Sequence, residues 1–224
     1  MSEGYEEQRH HLLLRIAHWA QALAILIMVG SGWRIYNQEP IFPFRFPVEL
    51  TLGGGIKQTL SRNNDPGVAN AIAWHFAGMW LLLGAFLLFL AYGFVSGHFR
   101  RSYVPVGPKS FLRDFIAAAT FRLPHTLGVY NHVQRALYIG VLIAVLMMLV
   151  SGLAVWKPVQ LAWLTALMGG FQGARIVHFL FMAAIVGFLA VHVALVALVP
   201  KTLQSMVLGR ARALPHGHAA PAGE

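Results

Sequence analysis

The sequence predicts an all-α integral membrane protein, a four-transmembrane-helix bundle with both termini cytoplasmic. Three observations predict it. Charged residues make up 11% of the 224 residues and hydrophobic ones 57%, less than half the roughly 25% charge of an average soluble chain. Four apolar runs, Leu12–Trp33, Val68–Val95, Ala136–Trp156 and Ile176–Val199, each reach the about 20 residues needed to cross a bilayer's hydrocarbon. None of the four contains an Asp or Glu, which argues against carboxylate-driven proton or cation transport. A soluble monomer of this composition would expose large apolar patches and aggregate.

The first run is too long for the apolar part of a signal peptide. It closes on Gly32, Trp33 and Arg34 rather than a small-residue cleavage site, so it reads as a retained span. Between the second and third runs, Leu112, Ile116, Ala119 and Leu123 share a helical stripe with Arg113 and Asp114 off it. That pattern predicts a helix over Ser110–Leu123 lying along the membrane surface. Leu161–Phe171 is apolar but too short to cross and reads as an interfacial segment. From Leu214 the chain turns rich in Pro, Gly and Ala and reads as a disordered tail. The whole of residues 1–224 reads as one membrane domain. A faint internal echo is present: the first and third spans close on Val29-x-Ser31-Gly32 and Val150-Ser151-Gly152.

Orientation follows from the 17 Lys and Arg residues. One side holds Arg9, Arg15, Arg100, Arg101, Lys109, Arg113, Arg122, Arg135, Lys201, Arg210 and Arg212, and the other only Arg34, Arg45, Lys57, Arg62, Lys157 and Arg175. The richer side is cytoplasmic. Trp19, Trp33, Trp74 and Trp156 sit at run ends, where indoles suit the interface. The net charge of +9 is spread between apolar runs rather than clustered on one face, so nucleic acid is not the expected partner. The absence of cysteine excludes disulfide scaffolds, Cys-ligated zinc, iron–sulfur clusters, and covalent or thiolate-ligated haem.

Where Asp and Glu are absent from the spans, histidines are present: His18, His75, His178 and His192. His178 and His192 are 14 residues apart on one helix, about 21 Å and close to a whole number of turns, so both rings face nearly the same side. Tracing each helix through the bilayer puts His75 and His178 at the outer level and His18 and His192 at the inner level. Facing imidazoles at two depths are the arrangement that holds two six-coordinate haems. Zinc, the competing reading, wants a third or fourth ligand at each level. For His18 alone, a packed interfacial histidine is an equal reading, and His132 in the cytoplasmic loop is its rival as inner ligand. His10, His11, His216 and His218 lie in polar termini and read as solvated, and His98 reads as interfacial. His125 lies in the cytoplasmic loop. Gly30, Gly32, Gly78 and Gly152 would allow the close approach that a flat macrocycle needs, although ordinary small-residue packing explains each one singly. Arg34 and Arg175 outside, with Arg15 and Arg135 inside, are candidate propionate partners.

These residues resemble a family: the four-helix di-haem cytochrome b subunits of bacterial nickel–iron hydrogenases and formate dehydrogenases, grouped with bacterial cytochrome b561. His18-Trp19 at the first helix, Tyr130-Asn131-x-x-Gln134-Arg135 at the third, the Ser151-Gly152 to Trp156 ending, and His178 with His192 carry the resemblance. It covers roughly Leu12 to Gly209. It implies two b-type haems with bis-histidine ligation in a bacterial inner membrane, and electron transfer between a periplasmic oxidoreductase subunit or cytochrome and the quinone pool. It also implies a quinone near the inner haem beside Asn131, with Gln134 one turn on. An amide there can donate to a quinone carbonyl, and Asn131 is equally placed to cap the third helix. The chain departs from the family pattern at Val133, where a Gly is expected, and in a longer first outer loop, Arg34 to Gly67. The alternative function is a free-standing cytochrome b561-type enzyme that oxidises superoxide at its outer face and reduces quinone.

Overall fold

The computed structural model describes residues 7–9, 11–54, 66–97, 99, 113, 114, 116, 132–198 and 200–212. Nearly all of them are helical. The long helices are α1 (Leu12–Tyr36), α2 (Pro66–Val95), α3 (His132–Trp156) and, after the short α4 (Ala162–Leu167), α5 (Gly170–Leu198). Each is long and apolar enough to span a membrane. A nine-residue helix α6 (Pro200–Leu208) follows. Two three-residue strands, β1 (Glu7–Arg9) and β2 (Arg210–Arg212), pair antiparallel and bring the two ends of the chain to the same end of the bundle.

All four helices outrun their apolar cores. The first two turns of α5 take in Gln172 and Arg175, and α1 runs on through Arg34 to Tyr36. A helix that has left the hydrocarbon still satisfies its own backbone, so polarity alone does not end it. What ends it is local chemistry. His11 Nδ1 accepts from the Leu13 N–H at 3.3 Å to cap α1, and it also stacks on Tyr92 at 5.0 Å. His11 is exposed, yet it is held by both of these contacts. Pro66 opens α2 at the position where a missing N–H costs nothing, and Pro158 follows the end of α3. Between α4 and α5, Gly169 and Gly170 both have φ +83°, a left-handed turn that side chains resist.

The helices associate as two hairpins. α1 packs along α2, and α3 along α5, while the two hairpins approach each other much less closely. They meet in a mid-depth core of Ala24, Met28, Leu82, Phe86, Ala144, Val145, Met148 and Ile185, one or more residues from every long helix. Large apolar side chains such as Leu26, Trp80, Leu146 and Val191 point outward and are exposed, as a lipid-facing surface requires.

The segment expected to be interfacial, Leu161–Phe171, contains α4 and then enters α5. The surface helix expected over Ser110–Leu123 lies outside the described residues, apart from helical backbone at Arg113, Asp114 and Ile116. The tail from Leu214 lies outside them too. The described part of the first outer loop folds back over the bundle. Asn37 both donates to the Phe46 carbonyl (2.8 Å) and accepts from its N–H (2.9 Å), and Trp33 stacks on Phe46 at 4.5 Å.

Candidate metal centres

Two imidazole pairs face each other across the gap between the hairpins. His75 from α2 and His178 from α5 have ring centroids 6.3 Å apart. His18 from α1 and His192 from α5 have theirs 6.1 Å apart. The pairs are those read from depth along the helices, and the His75–His178 level is called outer and the His18–His192 level inner after the orientation that the sequence predicts. Each joins one hairpin to the other, and the apolar core lies between the two levels.

The outer pair is built by a repeated device. Ser31 on α1 lies 3.0 Å from His75 Nδ1, and Ser151 on α3 lies 3.0 Å from His178 Nδ1. Next to each serine is a glycine under the same ring. A Cβ on Gly32 would stand 3.4 Å from His75 Cε1, and one on Gly152 would stand 3.3 Å from His178 Cε1. A methyl at either position would bear on the ring edge, so the ring would have to yield by a few tenths of an ångström.

The donor set fits a haem iron. Imidazole nitrogens sit about 2 Å from a first-row metal ion they ligate, and a ring centre lies about 1 Å beyond its nitrogen, so two rings on opposite sides of one ion are centred about 6 Å apart. Both observed pairs have that spacing. Among the described residues no three His, Cys, Asp or Glu side chains come together, and each pair would supply two imidazole nitrogens to a haem iron.

The inner level is built differently. His18 meets Trp19 edge-on at 5.4 Å, and Phe188 stacks on His192 at 5.6 Å with only 13° between planes. A groove of about 490 Å³ opens beside it, lined by Leu12, Arg15, Ile16, Trp19 and Val207. Arg15 donates from Nε to the Met206 carbonyl at 3.1 Å and from Nη2 to the Val207 carbonyl. Its guanidinium thus caps the end of α6, where exposed carbonyls favour a cation.

At the outer level Arg34 is buried, 4% exposed. Arg175 donates to the Gln172 side chain and the Glu39 carbonyl, which ties α5 to the folded outer loop. Tyr36, Phe42, Phe44 and Phe46 from α1 and that loop pack against Phe179, the residue after His178. Arg135 and Gln134 lie in the first turn of α3, which begins at His132. Asn131, with the side chains of His132 and Gln134, lies outside the described residues, as do His10, His98, His125, His216 and His218.

Sequence reasoning had noted Ser31 and Ser151 without giving them a role. The signal was longer than the echo suggested. Ala24-x3-Met28-x2-Ser31-Gly32 on α1 returns as Ala144-x3-Met148-x2-Ser151-Gly152 on α3. Likewise Ala71-x3-His75-x3-Met79 on α2 returns as Ala174-x3-His178-x3-Met182 on α5. The hairpins are thus related repeats, and the outer pair joins equivalent positions. The inner pair breaks the repeat: Tyr138 stands where the match to His18 falls, and Phe89 where the match to His192 falls.

Four spans joined by paired imidazoles define a class, the membrane-embedded cytochromes. The chain belongs to the prokaryotic cytochrome b561 family, whose model matches residues 9–209. It is therefore a cytochrome b561-type membrane electron-transfer protein, and b-type haem is the cofactor that membership implies. It is 41% identical over 201 residues to a putative protein-methionine-sulfoxide reductase subunit YedZ1 of Azospira oryzae, covering 89% of this chain and 96% of that one. It is 26% identical over 198 residues to a probable Ni/Fe-hydrogenase B-type cytochrome subunit of Bradyrhizobium diazoefficiens, covering 80% of this chain and 73% of that one.

Proposed function

We propose that this chain is the membrane subunit of an oxidoreductase complex in a bacterial inner membrane. It carries electrons between a quinone site at the cytoplasmic face and a partner enzyme in the periplasm, by way of two b-type haems. His75 and His178 would hold the outer haem, and His18 and His192 the inner one. The reading rests on one observation above all, the two facing imidazole pairs stacked at two depths of one bundle. Bound there, the haem irons supply one-electron carriers in series across the apolar core.

The protein's own residues supply position and charge. Arg34 and Arg175 give the outer level its cations for propionates, and Arg135 serves the inner level together with whatever share Arg15 retains beside its bonds to α6. At the inner end, Asn131 and Gln134 would meet the quinone carbonyls at the entry to α3, and protons would come and go through the cytoplasmic loop. Both termini would then lie in the cytoplasm, the side that the Lys and Arg distribution favours.

Of the two relatives, the one with the higher identity and fuller coverage is named as a subunit of a protein-methionine-sulfoxide reductase. We take the outer partner to be a reductase of that kind rather than a hydrogenase. The redox balance is complete: a quinol gives up two electrons and two protons, and a sulfoxide takes two of each to become a thioether and water.

The test is cofactor counting on the purified chain. Protein expressed with sufficient haem should carry two b-type haems per chain by its reduced spectrum and pyridine haemochrome. His178→Ala and His192→Ala should each remove a different one. A colourless protein, or one in which both variants remove the same haem, overturns the ligand assignment. Rapid haem reduction by superoxide with the chain alone would replace the subunit reading with that of a free-standing superoxide:quinone oxidoreductase.

A further inference from the structure

Hydrogen bonding in the outer pair goes further than packing needs. Ser31 Oγ lies 2.6 Å from the Ile27 carbonyl, and Ser151 Oγ lies 2.6 Å from the Met147 carbonyl. Two oxygens that close must share a proton, so each hydroxyl donates to the carbonyl four residues back. The serine oxygen then faces Nδ1 of the histidine, 3.0 Å away in both hairpins, with only lone pairs to offer. Nδ1 must therefore carry the ring proton, which the serine oxygen shares with the Met28 carbonyl in one hairpin and the Met148 carbonyl in the other, and Nε2 is left as the bare nitrogen. Both serines are fully buried, so no water competes for these bonds.

We propose that Ser31 and Ser151 are a matched pair of positioning residues that lock the tautomer of His75 and His178 and lower the reduction potential of the outer haem. A histidine that donates its distal N–H to an oxygen becomes a more basic ligand, and a more basic ligand favours the ferric ion. Each serine thus lowers the outer potential. At the inner level His192 is stacked by Phe188 instead, and the helix repeat is broken there. The two serines act on the outer potential, because both lie at the outer pair. This inference rests on the reading of the outer pair as haem ligands, and its test separates the two failures.

The experiment is a redox titration of the purified holoprotein, following each haem by its spectrum and its ferric low-spin EPR signal, for Ser31→Ala, Ser151→Ala and the double variant. Losing one such partner typically changes the properties of a metal site tenfold or more. A tenfold change in ferric preference is about 59 mV for one electron. Each single variant should raise the outer potential by roughly that amount, the double variant should raise it further in the same direction, and the inner potential should stay put. Ser31→Thr and Ser151→Thr keep the hydroxyl and should keep the wild-type potential. If the alanine variants lose the outer haem, its retention at the wild-type potential in the threonine variants still supports the lock, whereas its loss from both sets overturns it. An unmoved outer potential with haem content intact overturns the lock alone. Failure of His178→Ala to remove a haem overturns the ligand assignment beneath it.

Discussion

Gly152→Ala sets two known effects against each other at one position. Replacing a glycine by alanine inside a helix gains about 1 kcal/mol from backbone entropy. At Gly152 the new methyl would stand 3.3 Å from His178 Cε1 and 3.7 Å from Nδ1, so the ring must yield by a few tenths of an ångström. It has little freedom to do so, because Ser151 holds Nδ1 from the same side of the helix at 3.0 Å. Overpacking of this kind costs about 1–3 kcal/mol. The net effect on folding is a loss of about 0–2 kcal/mol, and the strain that falls on the His178 ring weakens its hold on the outer haem. Gly140, on the same helix, has nothing within 4 Å of its would-be Cβ and serves as the control. Thermal melts and haem-to-protein ratios in detergent should show Gly140→Ala as stabilising and spectrally silent. Gly152→Ala should weaken or shift the outer haem only, and Gly32→Ala, with its methyl 3.4 Å from His75 Cε1, should behave like it. If Gly152→Ala melts higher and holds its haem just as the control does, the glycine is a packing residue and the ring-clearance argument is wrong.

Two further outcomes are expected. The chain has no cysteine, so single cysteines report sidedness cleanly: Glu49→Cys in the outer loop should react with an impermeant maleimide on intact cells, and Gln204→Cys on α6 only after lysis, the reverse pattern refuting the orientation. Both positions are exposed. Asn131→Ala should lower quinone turnover with both haem spectra intact, since a lost hydrogen bond of about 1–3 kcal/mol is roughly 5- to 150-fold in affinity. A loss of about 1 kcal/mol in stability at unchanged quinone kinetics would make Asn131 a helix cap and turn the search to His132 and Arg135.

What the sequence determined by itself is set by distance along the chain. Whether a run of residues crosses a bilayer depends on its own length and polarity, and so Leu12–Trp33 and its three counterparts were legible as spans. Depth is equally local, because the helix rises by a fixed step per residue. The matching of His75 with His178 and of His18 with His192 followed from counting. Rotation about the helix axis is a different matter. These helices are apolar on every side, and with no polar face there is no periodicity to say which side meets which neighbour. Only tertiary packing decided that α1 pairs with α2 and α3 with α5, that Ser31 and Ser151 reach Nδ1 of the outer histidines, and that the loop after α1 folds down on Phe179. Arg15 illustrates the same limit. Its charge and depth suit a propionate, and only the fold shows that α6 comes to rest against the start of α1 with its terminal carbonyls accepting from the guanidinium. Such a contact joins residues some 190 positions apart, and it exists only because folding has already brought both ends of the chain to one end of the bundle.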